Sequence, residues 1–357
     1  MFRIARNLFH SQQAGLVMVL LLLGSVVALA AGNARNPFTG EEYNKLLNAA
    51  TLMETATQAS FFAIMAAGAS LVIISAGIDL SVGAVYALAG VGGAMALRSL
   101  QIDSGLSVVA SLAICAGIGI FCGMLNGAMV VGLRVHPFVV TLGTMWIFRG
   151  VAFVMSGAAT LVVPETQTRA AKASLGLSET LHPVPLLAMI LITATGALYL
   201  NRTVWGRYNY AVGGNMEAAR YSGLPINRIL ICVYALSGWA AGIAAFLGSS
   251  YYGSASCIDG SGYELYVIAS AVVGGVSLNG GRGSIVGAML GALLIALIRQ
   301  SIVILQFNPQ FEWIVVGLAI VLAVFLDRLK TDLSARRLAL AAQAVRASST
   351  AESRSET

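Results

Sequence analysis

Ten runs of apolar residues, most of them close to twenty residues long, follow one another along the 357-residue chain. They lie near 14–33, 57–76, 81–98, 106–133, 138–156, 184–200, 229–248, 264–279, 285–305 and 312–326. A helix needs about 20 apolar residues to cross a bilayer. The runs therefore predict eight to ten membrane spans in an all-α, polytopic helical bundle. The later runs are short and broken by glycine. Composition points the same way: 10% of the residues are charged, where a soluble domain carries about 25%.

The N-terminus has the outline of a secretory signal. Arg3 and Arg6 form a basic start, and Ala28-Leu29-Ala30 has the pattern of a cleavage site. The apolar run 14–33 is too long for a signal core, and many spans follow it. It is read as an uncleaved first span. The chain then divides into a cytoplasmic N-terminal segment (1–13), a transmembrane region (14–330) and an Ala/Ser-rich, disordered cytoplasmic tail (331–357).

Arginine and lysine set orientation. Arg3 and Arg6 precede the first span. Arg202, Arg207, Arg220 and Arg228 fall in one loop, 201–228, and Arg328, Lys330, Arg336 and Arg337 follow the last run. An even number of spans puts all three clusters in the cytoplasm and the 157–183 loop outside. The net charge of +6 therefore reads as membrane topology. No basic stripe interleaved with aromatics suggests nucleic acid.

Chemistry-bearing motifs are missing. No G-x-x-x-x-G-K-[ST] loop is present to cradle phosphates, no H-E-x-x-H to hold zinc, and no G-x-S-x-G elbow. His10, His136 and His182 are scattered. Cys115, Cys122, Cys232 and Cys257 have no metal-ligand spacing; Cys115 and Cys122 read as small packing residues on one helix face. Few acidic residues fall within the runs, which weakens a proton relay. The chain reads as a non-enzyme with no metal and no cofactor.

Two glycine-rich segments echo each other. In "GASLVIISAGIDLSVGAVYALAG" (68–90) and "GGVSLNGGRGSIVGAMLGALL" (274–294), Gly77 and Gly83 answer Gly281 and Gly287, with Gly280 beside them. Each reads as span, turn and new helix; internal repeats and the small residues of tight turns both account for the echo. Asp79 and Ser81 stand at such a helix start and read as its N-cap, with a polar gate or subunit contact as the alternative. Ser237-Gly238 and Gly242 form a small-residue helix-packing face.

The stretch "GGNMEAARYSGLP" (213–225) is polar in apolar surroundings. Asn215 suits an N-cap, Glu217 places a negative charge in the first turn, and Ala218 and Ala219 favour helix. Gly223 suits the left-handed position after a helix, and Pro225 prevents continuation. A helix of about two turns over 216–222 follows. Helices this short are marginal alone, so this one needs a surface to dock on: its own bundle, lipid or a partner.

Four segments together resemble one family. "ISAGIDLSVGAV" (74–85), "LNGAMVVGLRVHPFVVTLGTMWIFRGV" (125–151), "GRYNYAVGGNMEAARYSGL" (206–224) and "GYELYVIASAVVGGVSLNGGRGSIVGA" (262–288) are similar, in order, to the motifs of bacterial ABC-importer permeases of the ribose, xylose and allose type. The likeness runs from about residue 37 to 330. Tyr266 departs from it, standing where many relatives have Asp. The resemblance implies a type II-like permease of the cytoplasmic (inner) membrane for a pentose or hexose. It also implies three partners: a cytoplasmic ATPase, a periplasmic sugar-binding protein and a second permease subunit, in a homodimer. In this reading the 216–222 helix couples to the ATPase. Polar residues of the spans become candidates for the sugar path: Asn126, Phe138, Thr141, Thr144 and Arg149, with Trp146, Gln58 and Ser60 beside them. The same residues also fit interhelical bonding or bonds back to their own helices. A permease for another small polar solute, such as a polyol, a signalling sugar or a branched-chain amino acid, a stand-alone channel or secondary transporter, and an intramembrane enzyme are the alternatives.

Overall fold

The computed structural model describes residues 12–35, 40–100, 106–178, 181–322 and 324–325. The N-terminal arginines Arg3 and Arg6, the last basic cluster and the 331–357 tail lie outside the described residues.

The elements run α1 (Gln12–Ala31), β1 (Asn33–Arg35), β2 (Glu42–Asn44), α2 (Ala49–Ile74), α3 (Val82–Leu100), α4 (Leu106–Leu133) and α5 (Pro137–Ser156). They continue with β3 (Leu161–Val162), α6 (Glu165–Ala171), α7 (Val184–Arg202), α8 (Val204–Gly214), α9 (Met216–Tyr221) and α10 (Ile226–Tyr252). β4 (Ser254–Ala255), α11 (Tyr263–Val273), α12 (Ile285–Ile304) and α13 (Phe311–Leu322) complete the fold. Among the described residues, eight helices are long and apolar enough to cross a membrane; α11 and α13 are shorter. The expected run at 264–279 stops at Val273 because Gly274 closes the helix and Gly275 turns away with φ +91°. Four very short strands add to the all-α reading: β1 pairs antiparallel with β2, and β3 with β4.

Local chemistry fixes the helix starts. Asn48 Oδ1 accepts from Thr51 N before α2, His136 accepts from Phe138 N before α5 with Pro137 opening the helix, and Ser284 Oγ accepts from Gly287 N before α12. Contacts then sort the connections onto two poles. On the first, Gln13 Nε2 donates to Ser284 Oγ (2.9 Å) and Tyr210 OH to Gly283 O (2.8 Å), which brings together the starts of α1 and α12 and the middle of α8. On the opposite pole, Val163 N donates to Gly253 O (3.2 Å), and Ser107 Oγ lies 2.8 Å from Thr166 Oγ1.

Helix α2 is apolar around its whole circumference and almost fully buried over its last four turns, as a central helix must be. Helices α4, α5 and α7 bury only one face. The face buried by α4 repeats every four residues in small side chains: Ser107, Ser111, Cys115, Gly119, Gly123 and Gly127. It packs along α10 so closely that a Cβ at Gly119 would collide with Gly238 O, one at Gly123 with Tyr234 O, and one at Gly242 with Cys115 O. Lipid offers helices no hydrophobic reason to associate, so this backbone-to-backbone approach is what binds the pair.

Candidate functional site

The polar helix α9 has the expected ends. Asn215 Oδ1 accepts from Ala218 N (2.9 Å), and Gly223 sits at φ +78°. Ala219 is buried, packed with Val212, Ile226, Ile229 and Leu230. Glu217 and Ala218 are exposed on the first pole. Tyr221 is 91% exposed, a large aromatic side chain with nothing of its own chain to cover it.

Two residues before Asn215, Gly213 is the centre of a three-way backbone junction. A Cβ there would collide with Ile74 O and lie 2.7 Å from Gly281 N. Gly281 N in turn donates to Ile74 O (2.8 Å), with Gly281 at φ +70° and Gly280 at φ +80°. Asn209 Nδ2 donates to Leu71 O (3.0 Å). The end of α8 is thus wedged between the end of α2 and the turn leading into α12. Glycine is required at 213 by contact, and is favoured at 280 and 281 by both contact and positive φ. The echo between the two glycine segments holds for the helix starts at Val82 and Ile285. It fails at their beginnings: Gly68 is inside α2, against Ala240 and Ser237, whereas Gly275 is in a turn.

The 75–81 connection corrects the N-cap reading of Asp79. Its carboxylate is buried and does not cap the first turn of α3. Asp79 Oδ1 accepts from Ser81 N (2.9 Å) and Ser81 Oγ (2.7 Å), and Asp79 Oδ2 accepts from Ser237 Oγ (2.9 Å) of α10. Asn126 Nδ2 of α4 donates to Ser81 Oγ (2.7 Å), and Asn126 Oδ1 is buried without a partner among the described residues. Four polar residues from three places in the chain therefore lock the break between α2 and α3 to α4 and α10. Ser237, read as part of a packing face, does both jobs. Gly77 has Tyr234 Oη 2.8 Å from where its Cβ would be, and a Cβ at Gly83 would collide with Gly260 O. A cavity of about 570 Å³ opens between this connection and α9, lined among others by Gly77, Arg134, Pro137, Arg220 and Tyr234.

The residues expected along a sugar path do not share one lumen. Thr141 Oγ1 donates to Ile78 O (3.2 Å) and Pro137 O (3.0 Å), and Thr144 Oγ1 to Thr141 O (3.3 Å); both side chains are buried. Phe138 and Trp146 are exposed on the bundle's outside. Arg149, a costly charge inside a span, is held by the opposite pole: Nη1 donates to Cys257 O (2.7 Å) and to Asp259 O. Burial pushes the Asp259 carboxyl above its usual range, opposed by the Ser256 N–H it accepts and by nearby Arg149. Arg149 pins the 253–262 loop.

Sequence reasoning missed a cluster on that same pole. Arg299 Nε donates to Glu312 Oε1 (2.7 Å), Tyr266 OH donates to the same oxygen, and the guanidinium lies 5.3 and 5.2 Å from the Phe62 and Tyr266 ring centres. The signal was available: Arg299 and Gln300 interrupt an apolar run, where an ionisable group invites a functional reading.

Among the described residues, eight long apolar helices, a broken and polar-locked central pair, and a short capped helix held at one pole define a multi-pass membrane protein. A family described as the branched-chain amino acid transport system / permease component matches residues 51–324, and the chain belongs to it. It is 32% identical over 328 residues to the fructose import permease protein of Rhizobium meliloti, covering 90% of this chain and 87% of that one. It is 35% identical over 320 residues to the ribose import permease protein of Escherichia coli K12 (89% and 94%). It is 34% identical over 274 residues to the D-allose transport system permease protein of the same organism (76% and 81%). No solved structure matches. The protein is a transporter component of the bacterial inner membrane.

Proposed function

We propose that this chain is the membrane subunit of an ATP-driven importer for a monosaccharide, working as a homodimer with a cytoplasmic ATPase and a periplasmic binding protein. The observation that carries the sugar reading is similarity to fructose and ribose permeases across nine-tenths of the chain. The family's description names branched-chain amino acids, whereas these relatives are named for sugars.

The geometry supports a route for coupling. The first pole, with loop 201–228, faces the cytoplasm, and α9 presents Glu217 and Tyr221 to the ATPase. Asn215, Ala218, Ala219 and Gly223 shape and seat the helix. Force on α9 passes through Gly213 to the end of α2 and the 280–281 turn, and so to the starts of α3 and α12. Hydrolysis belongs to the partner, since the chain has no phosphate-cradling loop.

The test is reconstitution. Alone in liposomes, the chain is expected neither to hydrolyse ATP nor to concentrate D-ribose, D-fructose or D-allose. Adding the ATPase and binding protein should produce concentrative uptake of at least one of them. A cysteine at Ser222 should react with an impermeant thiol reagent only from the cytoplasmic side, and one at Ser174 only from outside. Uptake by the isolated chain on a proton or sodium gradient, or outside labelling at Ser222, would overturn this reading.

A further inference from the structure

The Arg299 cluster borders a cavity of about 250 Å³ lined by Glu54, Gln58, Arg299, Gln300 and Glu312, with Pro309 at its edge. Glu54 and Gln58 are one helical turn apart on α2, and Arg299 and Gln300 are in the last two turns of α12. All lie on the pole away from α9. Among the described residues, Glu54, Gln58 and Gln300 make no side-chain hydrogen bond within the protein. Aromatic side chains crowd in behind: Phe62 lies 5.3 Å from Tyr266 and 4.8 Å from Tyr263, and Tyr266 lies 5.9 Å from Trp313, between ring centres.

We propose that this cavity is the outward-facing sugar-capture site of the permease, with Gln58 and Gln300 as its principal hydrogen-bonding residues. The proposal rests on the monosaccharide reading above. Gln58 and Gln300 are half-buried at this pole, with their hydrogen-bonding capacity unspent within the protein. A sugar ring carries a hydroxyl on nearly every carbon, each both donor and acceptor. A carboxamide matches that chemistry with two donors and an acceptor. The charges of Arg299 and Glu312 are spent on each other, and the Glu54 carboxylate that also lines the cavity is an acceptor for sugar hydroxyls. Side-chain exposures of 28% and 17% leave the edge of that pair within reach of the cavity. The volume holds one sugar ring. Sugar released at the outer pole would meet this cavity before the locked 75–81 connection.

The experiment uses the complete importer in liposomes and counts sugar moved per ATP hydrolysed. Gln58→Ala and Gln300→Ala should keep hydrolysis stimulated by the binding protein, while sugar moved per ATP falls about three- to tenfold, the loss of one neutral hydrogen bond. A merely structural role would lower both rates together and leave the ratio unchanged. As a second readout, Gln58→Cys should react with an impermeant thiol reagent added outside. The sugar the importer takes up, added free and without the binding protein, should slow that reaction. An unchanged ratio in both alanine variants, or labelling that sugar does not slow, would overturn the site while leaving the importer reading intact. A wild-type importer that moves none of D-ribose, D-fructose and D-allose would overturn both.

Discussion

Gly238→Leu is expected to leave almost no folded permease in the membrane. The glycine lies where α10 crosses α4, and a Cβ there would collide with Gly119 O and lie 2.9 Å from the Cα and N of Gly123. The obstacle is backbone on a long helix, so no side-chain rotation relieves it. Extra methylenes in a packed site cost about 1–3 kcal/mol when neighbours can shift; here the helices themselves must part, and the cost should reach or exceed the top of that range. Gly143→Leu is the control, since nothing lies within 4 Å of a Cβ at that position. Membrane abundance and thermal unfolding in detergent measure both. Equal abundance and equal Tm for the two variants would show that the seam is not what holds α4 to α10.

Damage to the exposed face of α9 should do the opposite, sparing the fold and stopping transport. Tyr221 is a 91% exposed aromatic on that pole, the side-chain type that dominates binding energy at interfaces. Tyr221→Ala should weaken ATPase association by about 2 kcal/mol, roughly 30-fold, with permease abundance unchanged. Glu217→Arg places a positive charge at the positive end of a helix and reverses the charge offered to a partner. Gly223→Val forces a β-branched residue to φ +78°, a backbone region it strongly disfavours. Pull-down of the ATPase, uptake and abundance are measured for all three. Normal pull-down and uptake throughout would mean α9 only rests on the bundle; loss of the permease itself would mark the helix as a folding element.

What could be read in advance follows the range of the forces involved. Span positions were legible because lipid demands a run of apolar residues, a property of neighbours in sequence. The ends of α9 were legible for the same reason: Asn215 bonds three residues on, and Gly223 answers to its own φ. Asp79 was misread because its second acceptor oxygen serves Ser237, 158 residues away, and a local cap was the nearest use for a carboxylate there. The every-fourth small residues of α4 were half seen, through Cys115, with Gly238 and Gly242 across the seam. Gly213 gave no local hint that it meets both Ile74 and Gly281. Arg299 was legible as an oddity but not as a partner of Glu312, which lies beyond the following turn.

The seam between α4 and α10 also bears on how the molecule works as a machine. Two helices separated by side chains can slide, because rotamers yield one at a time. Here carbonyls of one helix rest on the glycine backbone of the other at several successive levels, and nothing between them can yield. A pair packed this way should move as a single beam, and under the proposed coupling a stroke entering at α9 should find its slack elsewhere: at the broken joint 75–81, at the 274–284 turn, and in the 253–262 loop pinned by Arg149. Amide exchange along 115–127 and 231–242 should accordingly keep one common pace through the ATP cycle, while those three joints quicken and slow. Exchange that changed along the beam but not at the joints would show that the stroke bends the helices instead.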